Sequence, residues 1–289
     1  MLKFLKNWTL PLAMFAGAIG YFLLANVTIL EPAKPFVNWL IAVLTPFLIF
    51  AQLLLTFCKI EPKELLPKAW HVWLLSIQAV SSGIIALLLI FCPMEEAYRD
   101  IFEGAMVCLI CPTATAAAVI TGKLGGSAST LTTYTLLSNV LAAIAVPLVF
   151  PLVEPHADIT FVVAFLKILS KVFPLLLAPF FIALLFRYYI PSVHRLLSKY
   201  HGVAFYLWAV ALTIVTGQTV RSLVTAAADV SIEIMIALAG LATCCLQFYF
   251  GKRIGSAYHD RISAGQALGQ KNTVLAIWMA VTYLNPLSS

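Results

Sequence analysis

Charged residues are scarce in this sequence. Lys, Arg, Asp and Glu together make up 10% of its 289 residues, whereas hydrophobic residues make up 62%. Soluble domains carry about 25% charged residues, so a fold this poor in charge lacks the polar surface that water requires. The scarcity excludes an ordinary soluble protein and predicts that lipid surrounds most of the molecule.

The short alternating segments of membrane β-barrels are also absent. The apolar runs are instead about 20 residues long, the length of a membrane-crossing helix. The first run is too long for the apolar region of a signal peptide, so we interpret it as a span. The predicted fold class is therefore an all-α polytopic membrane protein. Its nine predicted spans lie near residues 7–30, 36–58, 69–92, 98–122, 128–152, 160–189, 201–222, 229–251 and 259–285.

Residue patterns that carry catalytic or metal chemistry are missing as well. The sequence has no nucleotide-binding loop, no paired buried carboxylates and no triad candidates, and its five histidines lack metal-ligand spacing. Cys108 and Cys111 form a lone Cys-x-x-Cys, which without a second pair does not indicate zinc. We expect neither an enzyme nor a resident cofactor. The basic residues are scattered between spans, so we expect no nucleic-acid partner.

The basic residues divide unevenly between the two sides of the membrane. A cytoplasmic N-terminus puts Lys34, Arg99 and Arg221 in outer loops. Twelve basic residues then lie inside: Lys3, Lys6, Lys59, Lys63, Lys68, Lys123, Arg187, Arg195, Lys199, Lys252, Arg253 and Arg261. Because cytoplasmic loops are enriched in Lys and Arg, we predict a multi-pass protein of the bacterial inner membrane with its N-terminus inside. The acidic residues of one outer loop are interpreted as a solvated cap: Glu95, Glu96 and Asp100.

Two of the predicted spans contain residues that interrupt a helix. In the fourth span, Pro112 lacks an amide hydrogen and its ring clashes with the preceding turn, which predicts an opening there. In the ninth span, residues 269–272 (GQKN) place a glycine, two amides and a cation at mid-span depth. Charge at that depth is costly unless it faces a polar cavity. Both segments are expected to face protein or water, because lipid cannot satisfy an open backbone.

The two interruptions fall at equivalent places if the chain consists of two five-span halves. An odd number of spans makes such halves inverted repeats, and matching interruptions indicate a transporter's binding site. We expect a first repeat over residues 1–155, with its broken helix near 98–122. The second covers residues 156–289, with its broken helix near 259–285. Its tenth span is missing, which we interpret as truncation of the sequence.

Three groups of residues around these interruptions carry a family resemblance. They are segment 111–119 (CPTATAAAV) with the following KLGG at 123–126, segment 269–276 (GQKNTVLA) with the following NPLS at 285–288, and Gln78 in the third span. In these places the chain resembles the bile acid:sodium symporter family. The resemblance implies an inverted-repeat transporter with a core domain of spans 3–5 and 8–9 and a panel domain of spans 1, 2, 6 and 7. The two broken helices would cross in the core.

The same resemblance implies transport of an organic anion, either a bile acid or a smaller carboxylate, usually driven by sodium. Thr115 and Asn272 match positions that face the substrate in the family. Thr113 and Gln270 lie beside them at the two interruptions. These four residues are the predicted substrate-binding set.

Much of the family's sodium chemistry is missing from this chain. Ala117 and Ala118 stand where the family has a serine–asparagine pair, and Leu131 stands where it has a serine. Ala267 replaces an acidic residue, with Gln266 beside it. Alanine and leucine side chains supply no oxygen ligand, so sodium coupling through the usual sites is not expected.

In the family that the chain resembles, a glutamine of the second interruption occupies the position of Lys271. Lys271 therefore puts an ammonium where an ion would lie in that family. We hypothesise that it substitutes for sodium, either as a fixed charge or as a group that exchanges a proton. Sodium and proton both stay open as coupling ions. The other residues predicted to belong to the ion site are Gln78, Thr135, Ser138 and Gln266.

We therefore predict a secondary active transporter that moves an organic anion by alternating access. Half-helix N-termini at both interruptions favour a carboxylate between them. The alternatives are a non-transporting sensor or receptor on the same scaffold, a channel, and an arsenite-type carrier, which Cys111 suggests. The lack of an appended signalling domain disfavours the sensor, and the missing acid in the ninth span disfavours the arsenite carrier. The expected partners are a small organic anion and the lipid bilayer.

Overall fold

The structure is a computed structural model that describes residues 8–59, 61–155, 159–199, 203–225 and 230–284. Over these residues it contains helices and no strand. The α-helices are α1 (Thr9–Asn26), α2 (Lys34–Cys58), α3 (Ala69–Phe91), α4 (Glu96–Ile110), α5 (Ala117–Lys123), α6 (Ala128–Val153), α7 (Phe161–Tyr189), α8 (Pro191–Lys199), α9 (Val203–Thr225), α10 (Val230–Ala257), α11 (Arg261–Gly269) and α12 (Thr273–Tyr283). Two 3₁₀ turns, Thr28–Ala33 and Pro62–Glu64, precede α2 and α3.

Seven helical stretches of the described chain are long and apolar enough to cross a membrane. They are α1, α2 with its preceding turn, α3, α6, α7, α9 and α10. Large apolar side chains cover their outward faces; Phe15 and Phe91, for example, are 68% and 75% exposed. Such a surface suits lipid rather than water. The chain is an all-α, multi-pass membrane protein, as its composition predicts.

The two remaining predicted spans are each built from two short helices. The fourth consists of α4 and α5, which are separated by residues 111–116. The ninth consists of α11 and α12, which are separated by residues 270–272. Both predicted interruptions are therefore present. The motif at 285–288 and the N-terminal Lys3 and Lys6 lie outside the described residues.

The long helices pack in two adjoining groups. α1 packs on α9, and α2 packs on α7 and α9. α3 packs on α4, α6 and α10, while α11 contacts α3, α6 and α10. Glycines permit the closest approaches: a Cβ on Gly17 would lie 2.2 Å from the carbonyl oxygen of Thr213, and one on Gly251 would lie 2.6 Å from that of Ala264. The interrupted helices are thus enclosed by continuous ones.

Candidate functional site

The two interruptions lie side by side and are joined through their backbones. The amide of Ala114 donates to the carbonyl of Gln270 at 2.9 Å. The amide of Asn272 donates to the carbonyl of Pro112, also at 2.9 Å. Each unwound segment therefore satisfies backbone groups of the other, which lipid could not do.

The carbonyl groups at the end of α4 are bound by donors of the protein itself. A helix leaves its last four carbonyls without an intrahelical partner. Here the carbonyls of residues 107–112 each accept a hydrogen bond. The donors, in order, are the amide of Cys111, Gln247 Nε2, Lys271 Nζ, Gln78 Nε2 for two successive carbonyls, and the amide of Asn272. No ion is needed to cover these oxygens.

Lys271 lies where the two interruptions meet. It faces Thr113 in an isolated antiparallel bridge. Its Nζ atom donates to the carbonyl oxygen of Leu109 at 3.3 Å. The ammonium therefore lies at the C-terminal end of α4, which carries partial negative charge.

Gln78 connects three helices from a fully buried position in α3. Its amide nitrogen donates to the carbonyls of Ile110 at 2.9 Å and Cys111 at 3.2 Å. Its amide oxygen accepts the hydroxyl of Tyr134 in α6 at 3.0 Å. The side chain predicted to belong to an ion site is thus hydrogen-bonded to protein groups at both ends.

The hydroxyl side chains at the first interruption are also hydrogen-bonded within the protein. Thr113 donates its hydroxyl to the carbonyl of Ala267 at 2.6 Å, and its amide donates to Ser138 Oγ at 3.3 Å. Ser138 donates in turn to the carbonyl of Thr135 at 3.0 Å. The hydroxyl of Thr135 donates to the carbonyl of Leu131 at 3.1 Å. Thr113 thus holds the first interruption against α11 through its hydroxyl and against α6 through Ser138, whereas the Thr135 hydroxyl bonds within α6.

At and beside the second interruption, two buried polar atoms have no partner in the part of the chain that the structure describes. Asn272 caps α12, because its Oδ1 atom accepts the amide of Leu275 at 3.2 Å. The side-chain oxygens of Gln266 and Gln270 are buried and have no hydrogen-bond partner among the described residues. Thr115, the remaining predicted binding residue, is partly buried beside α5. Because an unpaired buried amide is costly, the two glutamines are the side chains here best placed to gain from a ligand.

Sequence reasoning missed part of this network. Gln247 is an amide in an apolar span, and the signal that singled out Gln78 applies to it equally. Tyr134 gave no such signal, because a tyrosine in an apolar helix most often only packs. The interpretation of Asp100 as a solvated acid is wrong: α4 turns it into the bundle, where it is 4% exposed. Glu103, one turn further on, is fully buried.

Among the described residues, no group of three or more His, Cys, Asp or Glu side chains is arranged to hold a metal ion. No model of a known protein family matches the chain, and comparison with curated proteins gives no significant match. The family resemblance therefore rests on the residues of the two interruptions and on Gln78.

Proposed function

We propose that this chain is a secondary transporter that moves an organic anion by alternating access, with Lys271 in place of a coupling sodium ion. The observation that carries the proposal is the junction of the two broken helices, which bind each other through the backbones of Pro112, Ala114, Gln270 and Asn272. Broken helices that meet inside a helical bundle are a usual binding site of secondary transporters.

The helix packing supports two inverted five-span halves. If the first span corresponds to the sixth, the second to the seventh and so on, contact α1–α9 corresponds to contact α2–α7. In the same way, contact α3–α11 corresponds to contact α4–α10. Two structural repeats generate such matched pairs, and an odd number of spans in each repeat makes the repeats inverted. The pattern favours a panel of α1, α2, α7 and α9 and a core in which the broken helices cross.

The position of Lys271 supports its role as a substitute ion. Transporters hold coupling cations at the carbonyl ends of half-helices. Here the ammonium of Lys271 binds the carbonyl of Leu109 in α4, and Gln78 binds the next two carbonyls. Ala117, Ala118 and Leu131 supply no side-chain oxygen, which supports transport without sodium.

The second interruption supports an anionic, hydrogen-bonding substrate. The N-terminus of α12 carries partial positive charge, and the ammonium of Lys271 adds to it. Gln270 and Gln266 contribute amides that rotation can turn to present either a donor or an acceptor. A carboxylate that also carries hydroxyl groups matches this combination. The distribution of Lys and Arg supports a cytoplasmic N-terminus. In a bacterial inner membrane, the proposed site would open alternately to both sides.

Ligand-dependent thermal stability of the purified protein tests this proposal. Carboxylates, including bile acids, should raise the unfolding temperature of the wild type. They should not stabilise Asn272→Asp, because aspartate keeps the helix cap but repels a carboxylate. Asn26→Asp, an exposed change at the end of α1, is the charge-matched control and should respond like the wild type.

Two outcomes would overturn the proposal. If the same carboxylate stabilised Asn272→Asp as strongly as the wild type, the binding site would lie elsewhere. If a carboxylate stabilised the protein but proteoliposomes took up none of it, the sensor alternative would replace the transporter.

A further inference from the structure

The first turns of α4 bury acidic groups that the proposed transport site does not use. Glu103 is 0% exposed, and Asp100 is 4% exposed. Neither carboxylate oxygen of Glu103 has a hydrogen-bond donor among the described residues. An ionised carboxylate in such a place is costly unless it is neutralised.

One guanidinium contacts both Glu103 and Glu154. Arg99 Nε lies 3.2 Å from Glu103 Oε1 and 3.0 Å from Glu154 Oε1. The other nitrogens of Arg99 donate to the carbonyls of Leu89 and Val153. The single positive charge of Arg99 balances only one of these two carboxylates.

Because one nitrogen of Arg99 lies within 3.2 Å of Glu103 and 3.0 Å of Glu154, the two carboxyl groups lie close together. Two ionised carboxylates repel strongly at short range, whereas one carboxyl group donates readily to one carboxylate. Two carboxyl groups on one guanidinium, one of them fully buried, therefore point to a proton on the pair.

A cavity of about 490 Å³ opens beside this pair. Its walls come from Glu96, Arg99, Asp100 and Glu154 on one side and from residues 282–284 at the end of α12 on the other. The cavity gives water access to the cluster and borders the second broken helix. By the charge distribution, it lies at the outer face.

We propose that Glu103 and Glu154 share one proton and form a proton-binding site that exchanges with this cavity. A metal cation fits less well, because Arg99 Nε already lies within 3.2 Å of Glu103 and 3.0 Å of Glu154. The described residues also contain no set of three acidic, His or Cys groups arranged around a metal.

The charged and titratable groups around the pair favour the protonated state. α4 contributes Arg99 and Asp100, and α12 contributes Tyr283, whose buried hydroxyl has no partner among the described residues. α3 has no charged side chain at this end. Arg99 thus faces two carboxyl groups with one positive charge, and a proton relieves their repulsion. The proposal that this site binds a proton does not depend on the proposed function. A role of this proton in driving transport would rest on the proposed function.

Thermal unfolding of the purified full chain across pH tests the site. Loss of the shared proton leaves two adjacent anions, so the unfolding temperature of the wild type should fall as pH rises. Glu103→Gln keeps a permanent donor towards Glu154 and should lose this pH dependence. Glu95→Gln, an exposed change next to α4, is the control and should retain it. Infrared difference spectra should contain a protonated-carboxyl band that disappears in Glu103→Gln.

A wild-type pH profile in Glu103→Gln, or the same infrared band in wild type and variant, would overturn the proposal. Stabilisation of the wild type by sodium, lost in Glu103→Gln, would replace the proton with a metal cation. If Glu103→Gln did not fold, Glu154→Gln would make the same test from the more exposed partner. A preserved proton signal without transport would reject the proposed function and leave the proton site intact.

Discussion

The two broken helices differ in how completely the protein binds its own polar groups. At the first break, each carbonyl of residues 107–112 accepts a hydrogen bond from the protein. At the second break, the side-chain oxygens of Gln266 and Gln270 are buried without a partner among the described residues. Under the proposed function the two interruptions have different roles: the protein binds the polar groups of the first, and the second keeps polar atoms for a ligand.

The largest loss of stability is expected when the hydrogen bonds of Gln78 to the carbonyls of the first break are removed. Gln78→Leu leaves the carbonyls of Ile110 and Cys111 and the hydroxyl of Tyr134 without their partners. Buried groups left unsatisfied cost about 1–3 kcal/mol each, so we expect the free energy of unfolding to fall by about 3 kcal/mol. Chemical unfolding in detergent micelles measures this change.

Gln52→Leu is the matched control for this substitution. Gln52 is buried in α2, and its amide nitrogen has no partner among the described residues. The control should therefore cost far less than Gln78→Leu. Equal losses for the two variants would mean that the hydrogen bonds of Gln78 do not stabilise the first break.

An intermediate loss is expected at Thr113, whose hydroxyl links the first break to α11. Thr113→Val keeps the shape of the side chain but leaves the carbonyl of Ala267 unbound, at a cost of about 1.5 kcal/mol. Thr121→Val is the control, because the hydroxyl of Thr121 is buried without a partner among the described residues. The same unfolding measurement should show almost no change for the control, and similar losses for both would contradict the assignment.

The smallest change in stability is expected at the second break. Gln270→Leu removes an amide whose oxygen has no partner among the described residues, so the free energy of unfolding should change by less than about 0.5 kcal/mol. Carboxylate binding, measured by calorimetry, should weaken by about tenfold or more. A large loss of stability with unchanged binding would reverse the roles assigned to the two breaks.

The membrane fold follows from composition alone, and both interruptions could be predicted from short motifs. The physical reason why the helix breaks at Pro112 could not be predicted from the sequence. Pro147 and Pro151 lie within α6, and Pro174 within α7, yet both helices continue through them. A proline therefore does not fix a break by itself. At Pro112 the helix opens where the second interruption, far along the chain, supplies partners for the released backbone groups.

Sequence reasoning also found the residues of the site but not their contacts. Gln78 and Ser138 stood out as polar groups in apolar spans, whereas their partners depend on how α3, α4 and α6 pack. The interpretation of Asp100 as a solvated acid is wrong for a similar reason. Asp100 and Glu103 lie close to a predicted outer loop, so their burial depends on how α4 packs. The contacts of Arg99 with Glu103 and with Glu154 at the end of α6 are part of that packing.

The central claim is that the ammonium of Lys271 takes the place of a sodium ion at the end of α4. The most direct test compares the unfolding temperature of the purified wild type in sodium chloride and in choline chloride at equal ionic strength. We predict no sodium-specific stabilisation, because the carbonyl of Leu109 is already bound by Lys271. A rise in the unfolding temperature of the wild type that sodium causes and choline does not would contradict the claim.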